Sequence, residues 1–130
     1  MAARPMILVA DDQEAMRNTI IRVLALEGYG YEVASTGSRA WELLEQKPFQ
    51  LALLDINMPG MDGFTVVERM KASPLHRAIP VIMITGAVDS SSVLRCKALG
   101  VDDYIVKPYK IATLLTRIDS VLGKPVPVAG

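Results

Sequence analysis

Short apolar runs alternate with helical patterns along the whole of this chain. The first run, Met6-Ile7-Leu8-Val9-Ala10, ends at Asp11 and shows no polar alternation, the mark of a strand buried on both faces. From Gln13 to Glu27, Met16, Ile20, Val23 and Leu24 recur at helical spacing, and Gly28 and Gly30 stop that helix. Tyr31-Glu32-Val33-Ala34 alternates, so a strand nearer the sheet edge is expected there. Ser38 is the expected N-cap of a helix that carries Trp41, Leu43 and Leu44 and is closed by Pro48. Leu51 to Asp55 reads as a third strand, and a helix from Gly63 to Ser73 turns Val66, Val67 and Met70 inward. Pro80 precedes a fourth strand, Val81-Ile82-Met83-Ile84-Thr85, and Asp89 or Ser90 caps a helix ending at Gly100. Tyr104-Ile105-Val106 is the fifth strand. Lys107-Pro108 then leads into an amphipathic helix with Ile111, Leu114, Leu115, Ile118 and Leu122.

Five strand–helix units with continuously apolar strands imply an α/β fold, a doubly wound parallel sheet with helices on both faces. The crossovers are expected to be right-handed. Ligands in such folds bind beyond the carboxyl ends of the strands. Asp11, Asp12, Asp55, Thr85 and Lys107 all fall at that edge, which makes them the candidate site.

Composition narrows the class. The 130 residues suit one domain, expected over 1–122, with 123–130 as a flexible tail or the start of a linker because Pro125 and Pro127 alternate there. Fourteen basic and fourteen acidic residues cancel, so charge makes no case for direct nucleic-acid binding. No apolar stretch is long enough to span a membrane, and the first residues lack an apolar signal region. The single Cys96 forms no internal disulfide, and no Cys/His cluster suggests zinc, so a reducing, cytoplasmic location is expected.

The strand-end residues suggest phosphoryl chemistry. Carboxylates about 4 Å apart repel by roughly 4 kcal/mol per pair at an effective dielectric near 20. A hard divalent cation with oxygen ligands, magnesium above all, offsets that cost and lets an anionic phosphoryl group approach Asp55. Lys107 and the Thr85 hydroxyl can meet phosphoryl oxygens. Such transfer depends mainly on positioning and charge neutralisation.

Asp11-Asp12, the run Leu53-Leu54-Asp55-Ile56-Asn57-Met58-Pro59-Gly60-Met61-Asp62-Gly63, Thr85-Gly86 and Asp103-Tyr104-Ile105-Val106-Lys107-Pro108 resemble the motifs of bacterial response-regulator receiver domains. The likeness runs from Met6 to Leu122 and is specific as a set. It implies a flavodoxin-like five-stranded sheet in the order 2-1-3-4-5 with five helices. It also implies Asp55 as phosphoacceptor and Mg²⁺ held by Asp12 and Asp55, by Asp11 through water and by the Asn57 backbone carbonyl. Lys107 would contact the phosphoryl group, and Thr85 and Tyr104 would switch a surface of the fourth helix, fifth strand and fifth helix. The Lys107-Pro108 bond would be cis. The donor would be a sensor histidine kinase or a histidine phosphotransfer protein, acting on a signalling domain that assists its own phosphorylation and dephosphorylation rather than on an enzyme. The output partner is not legible.

Other readings stay open at this point. Asp11-Asp12 alone would be a helix cap, Thr85 a satisfied strand end, Lys107 a surface lysine and Tyr104 a half-buried strand aromatic. Met58 and Met61 read as loop packing, Cys96 as a small buried hydrophobe and His76 as a solvated loop residue. An aspartate-nucleophile phosphohydrolase and a non-phosphorylated, receiver-like interaction module are the alternatives. Asn57 stands where the hydrolase would need a second acid. Asn57 and Ala87 occupy the positions that gate water in the family, and Ala15, Asn18 and Arg22 are candidates for a kinase-docking face.

Overall fold

The computed structural model describes residues 4–86 and 89–123. Along the chain it forms β1 (Met6–Ala10), α1 (Glu14–Leu26), β2 (Gly30–Ala34), α2 (Gly37–Gln46), β3 (Leu51–Leu54), α3 (Gly63–Ala72), β4 (Val81–Thr85), α4 (Ser90–Leu99), β5 (Asp103–Val106) and α5 (Ile111–Leu122). All strand pairs are parallel, in the order β2-β1-β3-β4-β5. The expected α/β architecture and strand order are therefore both present.

The pleat divides the core in two, because successive strand side chains point to opposite faces. Ile7, Val9, Leu51, Leu53, Ile82 and Ile84 pack against Ile20 and Leu24 of α1 and Leu114 and Ile118 of α5. Leu8, Ala52, Leu54 and Met83 pack on the other face against α2, α3 and Cys96 of α4. Burial on both sides explains why β3 and β4 carry no exposed residue, whereas edge strand β2 exposes Tyr31 and Val33. Cys96, Met58 and the inward residues of α3 are buried as expected.

Several local expectations are corrected. The N-cap of α2 is Thr36, not Ser38, and Thr36 Oγ1 accepts from Arg39 N at 3.1 Å. At Gly37, the first residue of α2, a Cβ would stand 1.9 Å from the Met61 carbonyl oxygen, an approach that only glycine allows. Asp11 and Asp12 do not cap α1; Gln13 holds that position and offers no side-chain cap. His76 is half-buried rather than solvated. Its Nε2 lies 2.9 Å from the Leu44 carbonyl oxygen, its Nδ1 lies 2.7 Å from Ser73 Oγ, and its ring stands 5.2 Å from that of Trp41. The helical partner of Leu44 O would be the N–H of residue 48, which is Pro48 and has none, so His76 fills the vacancy. Ala87 and residues 124–130 of the expected tail lie outside the described residues, and Gly123 is the C-cap of α5.

Candidate functional site

Strand register assembles the acidic edge. Ala10 is level with Leu54 in the β1–β3 pairing, so the next residues, Asp11 and Asp55, leave neighbouring strands at the same height. Backbone bonds continue one step past the strands: Asp55 N donates to Ala10 O at 2.9 Å and Asp11 N to Ala34 O at 3.1 Å. Both carboxylates are nearly withdrawn from water, at 2% and 5% exposure, while Asp12 is exposed. Asp11, Asp12 and Asp55 each offer a carboxylate oxygen within 4.8 Å of the others.

Lys107 reaches this cluster from just beyond β5, not from within the strand. Its N–H donates to Thr85 O at 2.9 Å, and the Lys107-Pro108 bond is cis, as expected. Its ammonium donates to Asp11 Oδ2 at 2.7 Å and to Asp55 Oδ2 at 3.2 Å, reaching from the end of β5 past β4 to the ends of the neighbouring strands β3 and β1. Asn57 N donates to Asp55 Oδ1 at 3.3 Å. The loop after Asp55 is pressed close by α3: a Cβ on Gly63 would meet Asp55 O at 2.3 Å, and Gly63 N donates to Ile56 O at 2.9 Å. Asp62 caps α3 by accepting from Thr65 N at 2.8 Å.

Asp12, Gln13, Asp55, Asn57, Gly86 and Lys107 line the resulting cleft. Thr85 stands at the same edge as the last residue of β4, wholly buried, and is not part of the cleft wall. Tyr104 is half-buried and packs on the α2/α3/α4 face, three residues before Lys107. Gln13 is the cleft residue that sequence reasoning missed. Its position directly after Asp11-Asp12 at a helix start was the available signal, and its backbone N–H donates to Asp11 Oδ1 at 2.9 Å.

Burial pushes the Asp55 carboxyl above its ordinary range, and the charge of Asp11 adds to that. Lys107 and the Asn57 N–H pull the other way without winning. For Lys107, burial disfavours the charge, but hydrogen bonds and charge from Asp11 and Asp55 outweigh it, and its ammonium is held above the usual range. The cleft thus holds more negative charge than its single lysine can neutralise. All three acids present oxygen, a donor set that fits a hard cation such as magnesium and not a soft metal.

Residues 7–119 match the family model for the response regulator receiver domain. This chain belongs to the response regulator receiver domain family. The receiver is 31% identical over 123 residues to the phosphate regulon transcriptional regulatory protein PhoB of Rhizobium meliloti, covering 95% of this chain and 54% of that protein. The receiver spans about half or less of the length of the curated relatives it matches, for example 15% of one and 48% of another. A CheY-like receiver domain protein from Methanospirillum hungatei superposes with a TM-score of 0.88 at 31% identity, covering 94% of this chain and 96% of that one. The receiver domain of the sensor histidine kinase PA1611 from Pseudomonas aeruginosa, solved with a magnesium ion coordinated in its active-site cleft, superposes with a TM-score of 0.85 at 26% identity. It covers 93% of this chain and 99% of that one. The receiver is thus a two-component signalling domain, and the phosphohydrolase and bare interaction-module readings are not favoured.

Proposed function

We propose that this receiver takes a phosphoryl group from a phosphohistidine onto Asp55. The observation that carries the reading is the Lys107 ammonium held at hydrogen-bond distance from both Asp11 and Asp55 inside an acidic cleft. An Asp55 carboxylate oxygen attacks phosphorus, the bond from phosphorus to the donor imidazole breaks, and its electron pair returns to the imidazole. Lys107 meets the charge on the transferred group. The Thr85 hydroxyl supplies a hydrogen bond once the β4 edge moves to it.

Asp12 and Asp55 would hold Mg²⁺ directly, Asp11 through water, and Asn57 through its backbone carbonyl. When bound, the cation neutralises the carboxylates and a phosphoryl oxygen. The magnesium in the PA1611 receiver supports this assignment by likeness.

The partners follow from the chemistry: a sensor histidine kinase or histidine phosphotransfer protein as donor, and an output domain or separate protein as reader. Arrival of the phosphoryl group biases Thr85 and Tyr104, and through them the face of α4, β5 and α5, where Leu94 and Val106 are exposed. Ala15, Asn18 and Arg22 of α1 are exposed, as a donor-docking face requires. The receiver unit is taken as 1–122 and its setting as the cytoplasm. Its role is signalling, with its own phosphorylation and dephosphorylation as its only chemistry. Among the described residues no helix is long and apolar enough to cross a membrane.

The test is incubation with acetyl phosphate and magnesium, followed by intact mass. One added phosphoryl group, dependent on the metal and lost in Asp55→Asn, is expected. An adduct that persists in Asp55→Asn would refute the assignment.

A further inference from the structure

An aspartyl phosphate is lost when a water attacks phosphorus in line with the bond to Asp55, from the far side. Of the residues lining the cleft, only Gln13 and Asn57 carry a carboxamide, the group that can accept a hydrogen bond from water and donate one to a phosphoryl oxygen at once. Asn57 follows Asp55 by two residues and its N–H is bonded to Asp55 Oδ1, so its chain starts beside the acceptor. Gln13 lines the same cleft from the start of α1.

Its backbone is held at both ends: the N–H by Asp11 Oδ1 at 2.9 Å, and the carbonyl by Arg17 N at 3.1 Å. Its side chain makes no cap bond to α1. Serine, threonine, aspartate or asparagine would cap here, and their absence forgoes about 1 kcal/mol. A local rule broken without local gain is expected at functional positions. Gln13 also borders a second pocket whose wall includes Met16, Pro108, Tyr109 and Ile111, a largely apolar surface. Thr19 and Lys107 are the other polar residues on that wall, and the Lys107 ammonium is already engaged by Asp11 and Asp55.

We infer that Gln13 is a positioning residue for hydrolysis, orienting the attacking water and so setting the lifetime of the phosphoryl group. The inference rests on Asp55 being the acceptor. In the step, the water oxygen bonds to phosphorus as the bond from phosphorus to the Asp55 oxygen breaks. The electron pair returns to the Asp55 carboxylate, both water protons stay on the departing phosphate, and dihydrogen phosphate leaves. A glutamine orients the attacking water in the same way in GTPases.

The test uses the full chain and its Gln13→Met and Gln13→Ala variants. Each is loaded with acetyl phosphate and magnesium, freed of donor by rapid desalting, and followed by intact mass after acid quenching. Magnesium affinity is measured by calorimetry and stability by urea unfolding. Decay roughly 10-fold slower in both variants is expected, on the scale that loss of orientation produces, with magnesium affinity and urea midpoint unchanged. Gln13→Met keeps the length of the side chain without its amide, so it separates positioning from bulk. Decay as fast as wild type, or faster, in loaded variants would overturn the inference while leaving Asp55 as acceptor. A matching loss of magnesium affinity would also overturn it, by making Gln13 part of the metal site. Wild-type protein that never loads would overturn both readings.

Discussion

Replacing Asp55 by asparagine should make the metal-free protein more stable near neutral pH. The carboxylate lies no more than 4.8 Å from that of Asp11, a repulsion of about 3.5 kcal/mol at an effective dielectric near 20. Lys107 at 3.2 Å returns about 5 kcal/mol on the same scale. These nearly cancel, and the exposed Asp12 adds a further, screened repulsion. What remains is the cost of withdrawing an ionised carboxylate from water, several kcal/mol per ion. That balance agrees with the raised pKa of Asp55. Asparagine keeps an oxygen for Lys107 and removes the charge, so a gain of about 1–2 kcal/mol is expected, or about 3–6 °C in Tm. The sign with pH follows from linkage. The folded pKa is raised above the ordinary 3.8, so the unfolded chain loses its proton first, and wild-type stability falls as pH rises from 3.8 through the folded value. The asparagine variant lacks this fall, so its advantage is absent at the acid end of that window and full above it. Lys107, whose raised pKa matters only above 10.5, does not interfere. Urea unfolding in EDTA at pH 4 and pH 8 measures the gap. Magnesium at about ten times its Kd should then add about 1.4 kcal/mol to the wild type and close most of it. A variant no more stable than wild type at pH 8, or a gap that ignores pH, would refute the reasoning.

Three further outcomes are expected. His76→Ala should cost about 1–2 kcal/mol, because it orphans the Leu44 carbonyl at the end of α2; urea unfolding reads the loss, and amide exchange should rise in the last turn of α2. Tyr29→Phe removes the hydrogen bond that the fully buried Tyr29 hydroxyl donates to Asp119 of α5, at a cost of about 1–3 kcal/mol. Burial first, and Asp119 second, raise the Tyr29 pKa above 10.0, so this difference should hold below pH 10 and shrink above it, as unfolding titrations at pH 8 and 10.5 would show. Tyr104→Ala should leave loading of Asp55 intact while weakening phosphorylation-dependent binding of an output partner; unchanged dependence, measured by calorimetry, would refute the proposed relay.

Much of this protein was legible in one dimension. A strand buried on both faces must be apolar throughout, and a helix with one buried side must repeat every three to four residues, so the ten elements, their alternation and the α/β class follow from local patterns. The carboxyl-edge residues were legible for the same reason: once the strands are placed, Asp11, Asp55, Thr85 and Lys107 must stand at their ends. Thr36 in place of Ser38 was not legible, because both residue types can cap, and the contact of Gly37 with the Met61 backbone joins segments far apart in the chain. His76 joins Leu44 across 32 residues and Tyr29 joins Asp119 across 90, and no periodicity reports such pairs. The sequence by itself determined which residues are strand ends and which are core. Only the tertiary structure decided that Lys107 bridges Asp11 and Asp55, that Thr85 is buried behind the cleft and that Gln13 forms part of its wall. Burial and helical or strand period are properties of neighbours in the chain, whereas the meeting of side chains from different elements depends on register and packing.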